Sequence, residues 1–146
     1  MQESLKLTGE LEIITRDSSG KVKLHLKKPN LIVTVGKTWA ASALIGAVPY
    51  MNAIAVGTSS VPPNVSDVVL GAELARVAMN TPTSSGSTIT YTATFNSGVG
   101  TGTWAEAGIF NSTSPTSGTM LSHTTFSPVT KLSTDVTTIT WSITIN

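Results

Sequence analysis

Cysteine is absent from this 146-residue chain, and charged residues make up only 12% of it. Without cysteine there is no disulfide framework and no thiolate metal site, and the chain is compatible with assembly in a reducing cytosol. The formal net charge is +1. Proteins that wrap nucleic acid usually carry a strong basic excess, so no direct nucleic-acid binding is expected. The length predicts a single domain, residues 1–146, with a core that needs no cross-links.

Long apolar runs are also missing. The N-terminal stretch Met1–Lys6 has no apolar core of the kind that a secretion signal needs. The most apolar window, Ala40–Gly57, is interrupted by glycine, proline and asparagine and is too mixed to span a bilayer. The sequence therefore predicts a soluble protein with no membrane segment.

Serine and threonine are abundant, and they alternate with apolar residues in two clear segments, Thr88–Phe95 and Asp135–Ile145. This period of two is typical of strands with one buried and one wet face. In the later segment the inward residues are Ile139, Trp141, Ile143 and Ile145. The stretch Thr103–Phe110 is apolar on both faces, which predicts a more central strand. Residues 96–102 contain three glycines, and we expect them to connect Thr88–Phe95 and Thr103–Phe110 as an antiparallel hairpin.

The N-terminal segment Leu5–Val35 holds most of the charge and reads as a hairpin around the turn Asp17–Gly20. Pairing Arg16 with Lys21 predicts a register that places opposite charges across the strands. The predicted pairs are Ile13 with Leu24, Leu11 with Leu26, Glu12 with His25, and Glu10 with Lys27. We expect this hairpin at the periphery, along an edge or projecting from the domain, with Met1–Thr8 as a docking arm.

One helix is predicted, from Gly36 to Gly46, with Trp39 and Ala43 on its inner face and Gly46 just past its end. A further turn of helix is expected at Val68–Leu74. The remaining segments predict short strands separated by turns, including Ala53–Gly57, Ala75–Met79 and Met120–Phe126, and loops at Thr58–Asp67, Pro82–Ser87, Asn111–Gly118 and Pro128–Ser133. About eight strands with one short helix indicate an all-β fold: a two-sheet antiparallel sandwich, jelly-roll-like.

Candidates for chemistry are few, and we assign no catalytic, cofactor-binding or metal-ligating residue. Glu106 lies inside a strand and could serve as a buried general acid or base. The interpretation we favour is that it is exposed or paired with Arg76 or a lysine. His123 lies among hydroxyl side chains that are too numerous to indicate a catalytic partner, and His25 is expected on the outer face of the hairpin. The basic cluster of Lys21, Lys23, Lys27 and Lys28 is interpreted as a solvated strand face.

Several segments together resemble a known family. They are Ala53–Pro63, Leu70–Arg76, Tyr91–Gly102, Glu106–Asn111, Gly118–Leu121 and Thr138–Ile145. The chain is similar over most of its length to small virion proteins of tailed bacteriophages. The resemblance implies a β-sandwich that decorates the particle, described in some members as head decoration or cement and in others as a tail or fibre component. It brings no catalytic residues with it.

The expected function is therefore structural, not enzymatic. The first hypothesis is a decoration protein on the exterior of a capsid, assembled in the host cytoplasm, bound to the major capsid protein or another virion protein and forming a homo-oligomer. The alternative is a tail, collar or fibre-base module that contacts another virion protein or a host glycan through loops such as Thr58–Asp67 and Asn111–Gly118. A small hydrolase is the least supported interpretation.

Overall fold

Two antiparallel sheets of five strands each make up the fold in the computed structural model, which describes residues 5–146. Sheet A contains β1 (Leu7–Arg16), β2 (Val22–Pro29), β6 (Thr83–Ser85), β7 (Thr88–Phe95) and β10 (Val136–Ile145), in the order β2-β1-β10-β7-β6. Sheet B contains β3 (Leu31–Ile32), β4 (Ala53–Gly57), β5 (Glu73–Ala78), β8 (Gly102–Phe110) and β9 (Met120–Lys131), in the order β3-β9-β8-β4-β5. The helix α1 is Thr34–Ala43. The predicted all-β sandwich with one short helix is confirmed, with ten strands instead of about eight.

The main core lies between the two sheets, where the alternating strands place their apolar side chains. Trp141 on β10 and Trp104 on β8 are fully buried, and the Trp104 ring meets Phe95 edge-on with centroids 4.9 Å apart. Apart from the buried Thr137, the threonines of β7 and β10 lie on the other face, and some pair across the strands, as Thr88 does with Thr144 at 2.9 Å. These faces confirm the predicted alternation, except that Ile145 at the end of β10 is 39% exposed.

The predicted hairpin between β7 and β8 is wrong, because the two strands belong to different sheets. β7 pairs with β10 and β6, whereas β8 pairs with β4 and β9. The glycine-rich segment between them crosses from one sheet to the other. Gly100 has a φ of +67°, and its carbonyl accepts a hydrogen bond from Trp104 Nε1 at 2.7 Å. The residue patterns of the two segments identified both strands but held no information on which partner strand each would take. The central position predicted for β8 is confirmed.

The N-terminal hairpin forms around the predicted turn, with Gly20 at a φ of +84°. Its register differs from the predicted one by two residues. A bulge between Thr15 and Arg16 shifts the pairing, so that Thr15 lies opposite Leu24 and Arg16 opposite Val22. Ile13 therefore lies opposite Leu26. A shift of two leaves every side chain on its expected face. Glu10 lies opposite Pro29, not Lys27, and the lysine takes the position opposite Glu12.

The hairpin does not project as a unit. β1 pairs with β10 along its whole length, and Leu11 and Ile13 are fully buried in the core. Of the two hairpin strands only β2 lies at an edge of sheet A, and its lysines are exposed, as expected for an edge strand. His25 is exposed, as predicted, with its Nε2 2.8 Å from Glu12 Oε2. Of the expected docking arm, residues 1–4 lie outside the described residues, and Leu7 and Thr8 belong to β1.

The helix starts two residues before the predicted position and ends at Ala43. Gly46, at a φ of +68°, closes it: its N–H donates to the Ala43 carbonyl at 3.0 Å, and Ala47 N–H donates to the Ser42 carbonyl at 3.1 Å. Trp39 packs against the core as predicted, whereas Ala43, which was predicted on the same inner face, is exposed. Among residues 5–146, no helix is both long and apolar enough to cross a membrane.

Three local predictions from the sequence are wrong. Val68–Leu74 contains no helical turn, since this segment lies against sheet B and leads directly into β5. The expected turn at Pro82–Ser87 contains the short strand β6, and β9 continues through Pro128 to Lys131. The composition of a short segment does not show whether it pairs with another strand, because pairing depends on which strands lie beside it in the sheet.

A charged cluster joins β2 to the start of β10. Asp135 is buried, and its Oδ2 accepts hydrogen bonds from Lys23 Nζ at 2.7 Å and Leu132 N–H at 2.8 Å. The hydrogen bond from Lys23 is the main reason that the pKa of Asp135 lies below its ordinary value of 3.8. Burial lowers the pKa of the neighbouring Lys131, whose Nζ donates to the Asn96 carbonyl at 3.0 Å.

Replacing Trp141 by alanine should lower the free energy of unfolding by about 3–5 kcal/mol, because it leaves a large cavity between the sheets. Chemical denaturation measures the change. The matched control is Trp141→Phe, which keeps most of the apolar volume and removes an indole N–H that has no partner within residues 5–146. It should cost less than half as much. Equal losses for the two variants would contradict the packing described here.

Asp135 should make the protein acid-sensitive. A carboxyl whose folded pKa is lowered contributes stability above its unfolded pKa and loses that contribution as pH falls through the folded value. The wild type should therefore lose stability below the ordinary aspartate value of 3.8. Asp135→Asn should be less stable than the wild type near pH 7 and close to it at about pH 2. Denaturation at both pH values tests this, and a constant difference would contradict it.

Candidate functional site

Loops cover the outer face of sheet B and shield it from solvent. The cross-strand row Leu31, His123, Gly108, Ala55 and Arg76 runs over all five strands of this sheet and places these residues on one face. A second, smaller apolar cluster lies on this face and consists of Val33, Ala55, Leu70, Phe110 and Met120. Two segments cover it, named here the 58–72 loop and the 111–119 loop. Each is fixed by ionisable side chains that rise from the sheet.

Glu106 holds the 58–72 loop. Its side chain is fully buried, and its two carboxylate oxygens meet four donors. Oε2 accepts from the backbone N–H groups of Ser59 at 3.1 Å and Ala72 at 2.8 Å, and Oε1 accepts from Gly71 N–H at 2.8 Å. The carboxylate therefore joins both ends of the loop. Charge-assisted bonds of this kind are about twice as strong as neutral ones, which makes the loop ends rigid.

His123 links Glu106 to the middle of the same loop. Its Nε2 lies 3.0 Å from Glu106 Oε1, and its Nδ1 lies 2.8 Å from Asp67 Oδ2. Asp67 Oδ2 also accepts from Asn64 N–H at 2.8 Å. Both ring nitrogens face carboxylate oxygens, so the imidazole can donate to both only when it carries two protons. Glu106, His123 and Asp67 are called the carboxylate–histidine cluster below.

Two glycines make room for this cluster. A Cβ on Gly57 would lie 2.5 Å from Glu106 Oε2 and 2.5 Å from the Ala72 carbonyl oxygen. A Cβ on Gly71 would lie 2.6 Å from both the Cβ and the Oγ of Ser59. Any side chain at either position would push the loop ends away from the carboxylate. The close approach of two backbones to Glu106 thus explains why both positions are glycine.

Arg76 holds the 111–119 loop in a similar way. Its guanidinium donates to the carbonyls of Ser112 at 2.9 Å and Ser117 at 2.7 Å, and to Glu73 Oε1 at 2.6 Å. The guanidinium carbon also lies 4.0 Å from the centroid of the Phe110 ring, a cation–π arrangement. The Arg76 side chain is 1% exposed. The loop is therefore fastened to the sheet by a desolvated cation.

The sequence prediction for Glu106 is wrong. Glu106 is neither exposed nor paired with Arg76, because Arg76 pairs with Glu73 instead. The prediction relied on how often strand acids are solvated, whereas the outer face of sheet B is buried under loops. Asp67, Glu73 and the two glycines were not identified at all. One signal was present: Glu106 lies between Ala105 and Ala107 in a strand that is apolar on both faces, where a solvated residue is out of place.

Chemically, the cluster holds the loops in place. Both nitrogens of His123 and both oxygens of Glu106 lie within hydrogen-bond distance of protein groups, and the groups that they contact belong to the loop or to the cluster itself. No group of three or more metal-ligating side chains with suitable geometry occurs in the described part of the chain. What the cluster does is to fix the shape of the 58–72 loop.

The 58–72 loop exposes several valines between polar residues such as Ser60, Asn64 and Ser66. Four of its valines, Val61, Val65, Val68 and Val69, are between 49% and 69% exposed. Its inner side is anchored by Leu70, which is 5% exposed, and by the bond from Thr34 N–H to the Val65 carbonyl at 2.8 Å. A rigid loop that exposes several apolar side chains together is typical of a protein-binding surface. These four valines are called the valine patch.

Comparison with known proteins found no matching family model, curated protein or solved structure.

Glu106→Gln should lower the free energy of unfolding by about 3 kcal/mol or more, since an amide presents N–H groups to backbone donors and removes the charge opposite His123. Hydrogen exchange should speed up most at the amides of Ser59, Gly71 and Ala72. The matched control is Glu10→Gln on exposed β1 surface, which should change neither quantity. Unchanged protection of the three amides would contradict the anchoring role.

Proposed function

We propose that this protein is a structural component of a tailed-bacteriophage particle, a decoration protein that docks on the exterior of the head shell through its 58–72 loop. The observation that carries the proposal is the valine patch on a loop that buried side chains hold rigid. A preformed loop loses little conformational entropy on docking, so its apolar area contributes to affinity with small ordering costs. The location on a phage particle is supported by the sequence resemblance described above.

The chemistry of the loop supports a protein partner more than a glycan. Residues 58–72 include four exposed valines and two prolines but no aromatic residue on which a sugar ring could stack. The proposed partner is the major capsid protein or another virion protein. The two proteins would meet in the host cytoplasm, where both are assembled. Several copies related by symmetry would brace neighbouring capsomers, which is why a homo-oligomer is part of the proposal.

A non-enzymatic role is supported by the same geometry. The carboxylates and the imidazole of the carboxylate–histidine cluster hydrogen-bond to the 58–72 loop or to one another. The exposed side of that loop carries the valine patch. The alternative location, on the tail, collar or fibre base, uses the same docking surface with a different virion protein. Binding measured separately with purified heads and with purified tails distinguishes the two locations.

The double variant Val61→Asp, Val68→Asp should fold normally and bind undecorated heads at least about tenfold more weakly, because it places two charges in the docking interface. Co-sedimentation of the purified protein with heads, and separately with tails, measures this. The matched control is Val22→Asp on β2, where the side chain is 42% exposed and lies outside the patch. If the wild-type protein binds tails and does not bind heads, the result supports the alternative location on the tail, collar or fibre base. Binding to neither, or no effect of the double variant, would refute the proposal.

A further inference from the structure

A groove of about 670 Å³ runs between the first residues of β1 and helix α1. The helix contributes one face, Lys37, Ala40, Ala41 and Leu44, whose spacing of i, i+3, i+4 and i+7 places them in line. The small side chains of Ala40 and Ala41 leave the space open in the middle. Most other lining residues are apolar, including Leu5, Leu7, Leu31, Ile32 and Ile145. This volume falls in the range of natural binding sites.

The groove runs along an unpaired strand edge. Lys6 and Asn146 exchange backbone hydrogen bonds of 3.0 and 2.8 Å, so Lys6 and Thr8 direct their backbone groups toward β10. By alternation, Leu5, Leu7 and Gly9 direct theirs to the opposite side, where the Gly9 carbonyl accepts from Asn30 N–H. The β1–β2 ladder begins only at Glu10, because the chain turns away at Pro29. Within residues 5–146, no strand therefore pairs with the outer side of Leu5 and Leu7.

Charge and exposure point to a particular kind of occupant. Among residues 5–146, Lys6 and Lys37 are the charged residues that line the groove, and no acidic side chain of that range lines it. Leu5 and Leu44 border the groove and are 84% and 87% exposed, which is unusual for leucine. The groove thus offers apolar walls, two cations and the backbone groups of Leu5 and Leu7, which have no strand partner within residues 5–146.

We propose that this groove binds an extended apolar segment of a partner protein that carries at least one carboxylate, added as a strand to the free edge of β1. The segment would continue the position of β2 beyond Pro29, placing alternate side chains against Ala40 and Ala41 and its carboxylate near Lys6 or Lys37. The proposal is independent of the docking function of the 58–72 loop, since it concerns a different surface of the chain.

Two other occupants fit less well. An acyl chain would fill the apolar walls but leave the backbone groups of Leu5 and Leu7 without partners. A second copy offering its own edge strand β2 would bring Lys23, Lys27 and Lys28 toward Lys6 and Lys37, and like charges oppose that contact. Both occupants are outcomes of the experiment.

The probe is a fluorescein-labelled eight-residue peptide that alternates valine and threonine and carries aspartate near each end. Fluorescence anisotropy with the purified full chain should show saturable binding. Exchange of both aspartates for lysine should weaken binding at least about tenfold. Two further peptides carry backbone N-methyl groups at the odd or at the even positions. Strand addition uses the N–H groups of alternate residues, so one methylated peptide should lose binding and the other should keep it.

Matched variants tie the binding to this groove. Ala41→Trp fills it from an exposed helix position and should abolish binding, whereas Lys37→Glu should reverse the preference between the aspartate and lysine peptides. Lys21→Glu, at the far hairpin turn, should have no effect. Absence of saturable binding, or equal loss with both methylated peptides, would overturn the proposal. Tighter binding of dodecanoate than of any peptide, or a dimer of the chain that Ala41→Trp dissociates, would also overturn it.

Discussion

A carboxylate buried on the outer face of sheet B determines how the loops of this protein are arranged. A buried charge is costly unless donors surround it, and Glu106 obtains its donors from both ends of the 58–72 loop and from His123. The conformation in which the loop donates to the carboxylate needs glycine at 57 and 71, because a Cβ at either position would clash with the neighbouring chain. The shape of a surface loop is thus fixed by an interaction inside the domain.

The two sheets differ in how many of their faces are buried. Sheet A has one buried face and one threonine-rich wet face, while sheet B is buried on both faces, by the main core and by the loops. This difference explains why β4 is buried at every position and why β8 is apolar on both sides. The side of the sandwich that carries sheet B is therefore the side where loops are held most firmly and where a preformed contact surface can be built.

The long strands of sheet A could be predicted from the sequence because one wet face produces a clear alternation, as in Thr88–Phe95, whereas the three-residue β6 was predicted as a turn. The helix could be placed to within two residues from its alanines and Gly46. Sheet membership could not be predicted, since β7 and β8 are neighbours in the chain but pair in different sheets. The carboxylate–histidine cluster was also out of reach. Asp67, Glu106 and His123 are far apart in the sequence, and only the fold of the 58–72 loop over sheet B brings them together.

The pairing of β1 with β10 has a consequence for how the chain folds. Thr15 and Thr137 share a hydrogen bond across 122 residues, and the whole β1–β10 ladder joins opposite ends of the described chain. Contacts between such distant residues raise the contact order and slow folding. During synthesis, the N-terminal hairpin emerges early but has no partner until β10 leaves the ribosome. The edge of β1 that pairs with β10 stays open during this time, whereas the lysines along β2 discourage association with other nascent chains at the opposite edge of the hairpin.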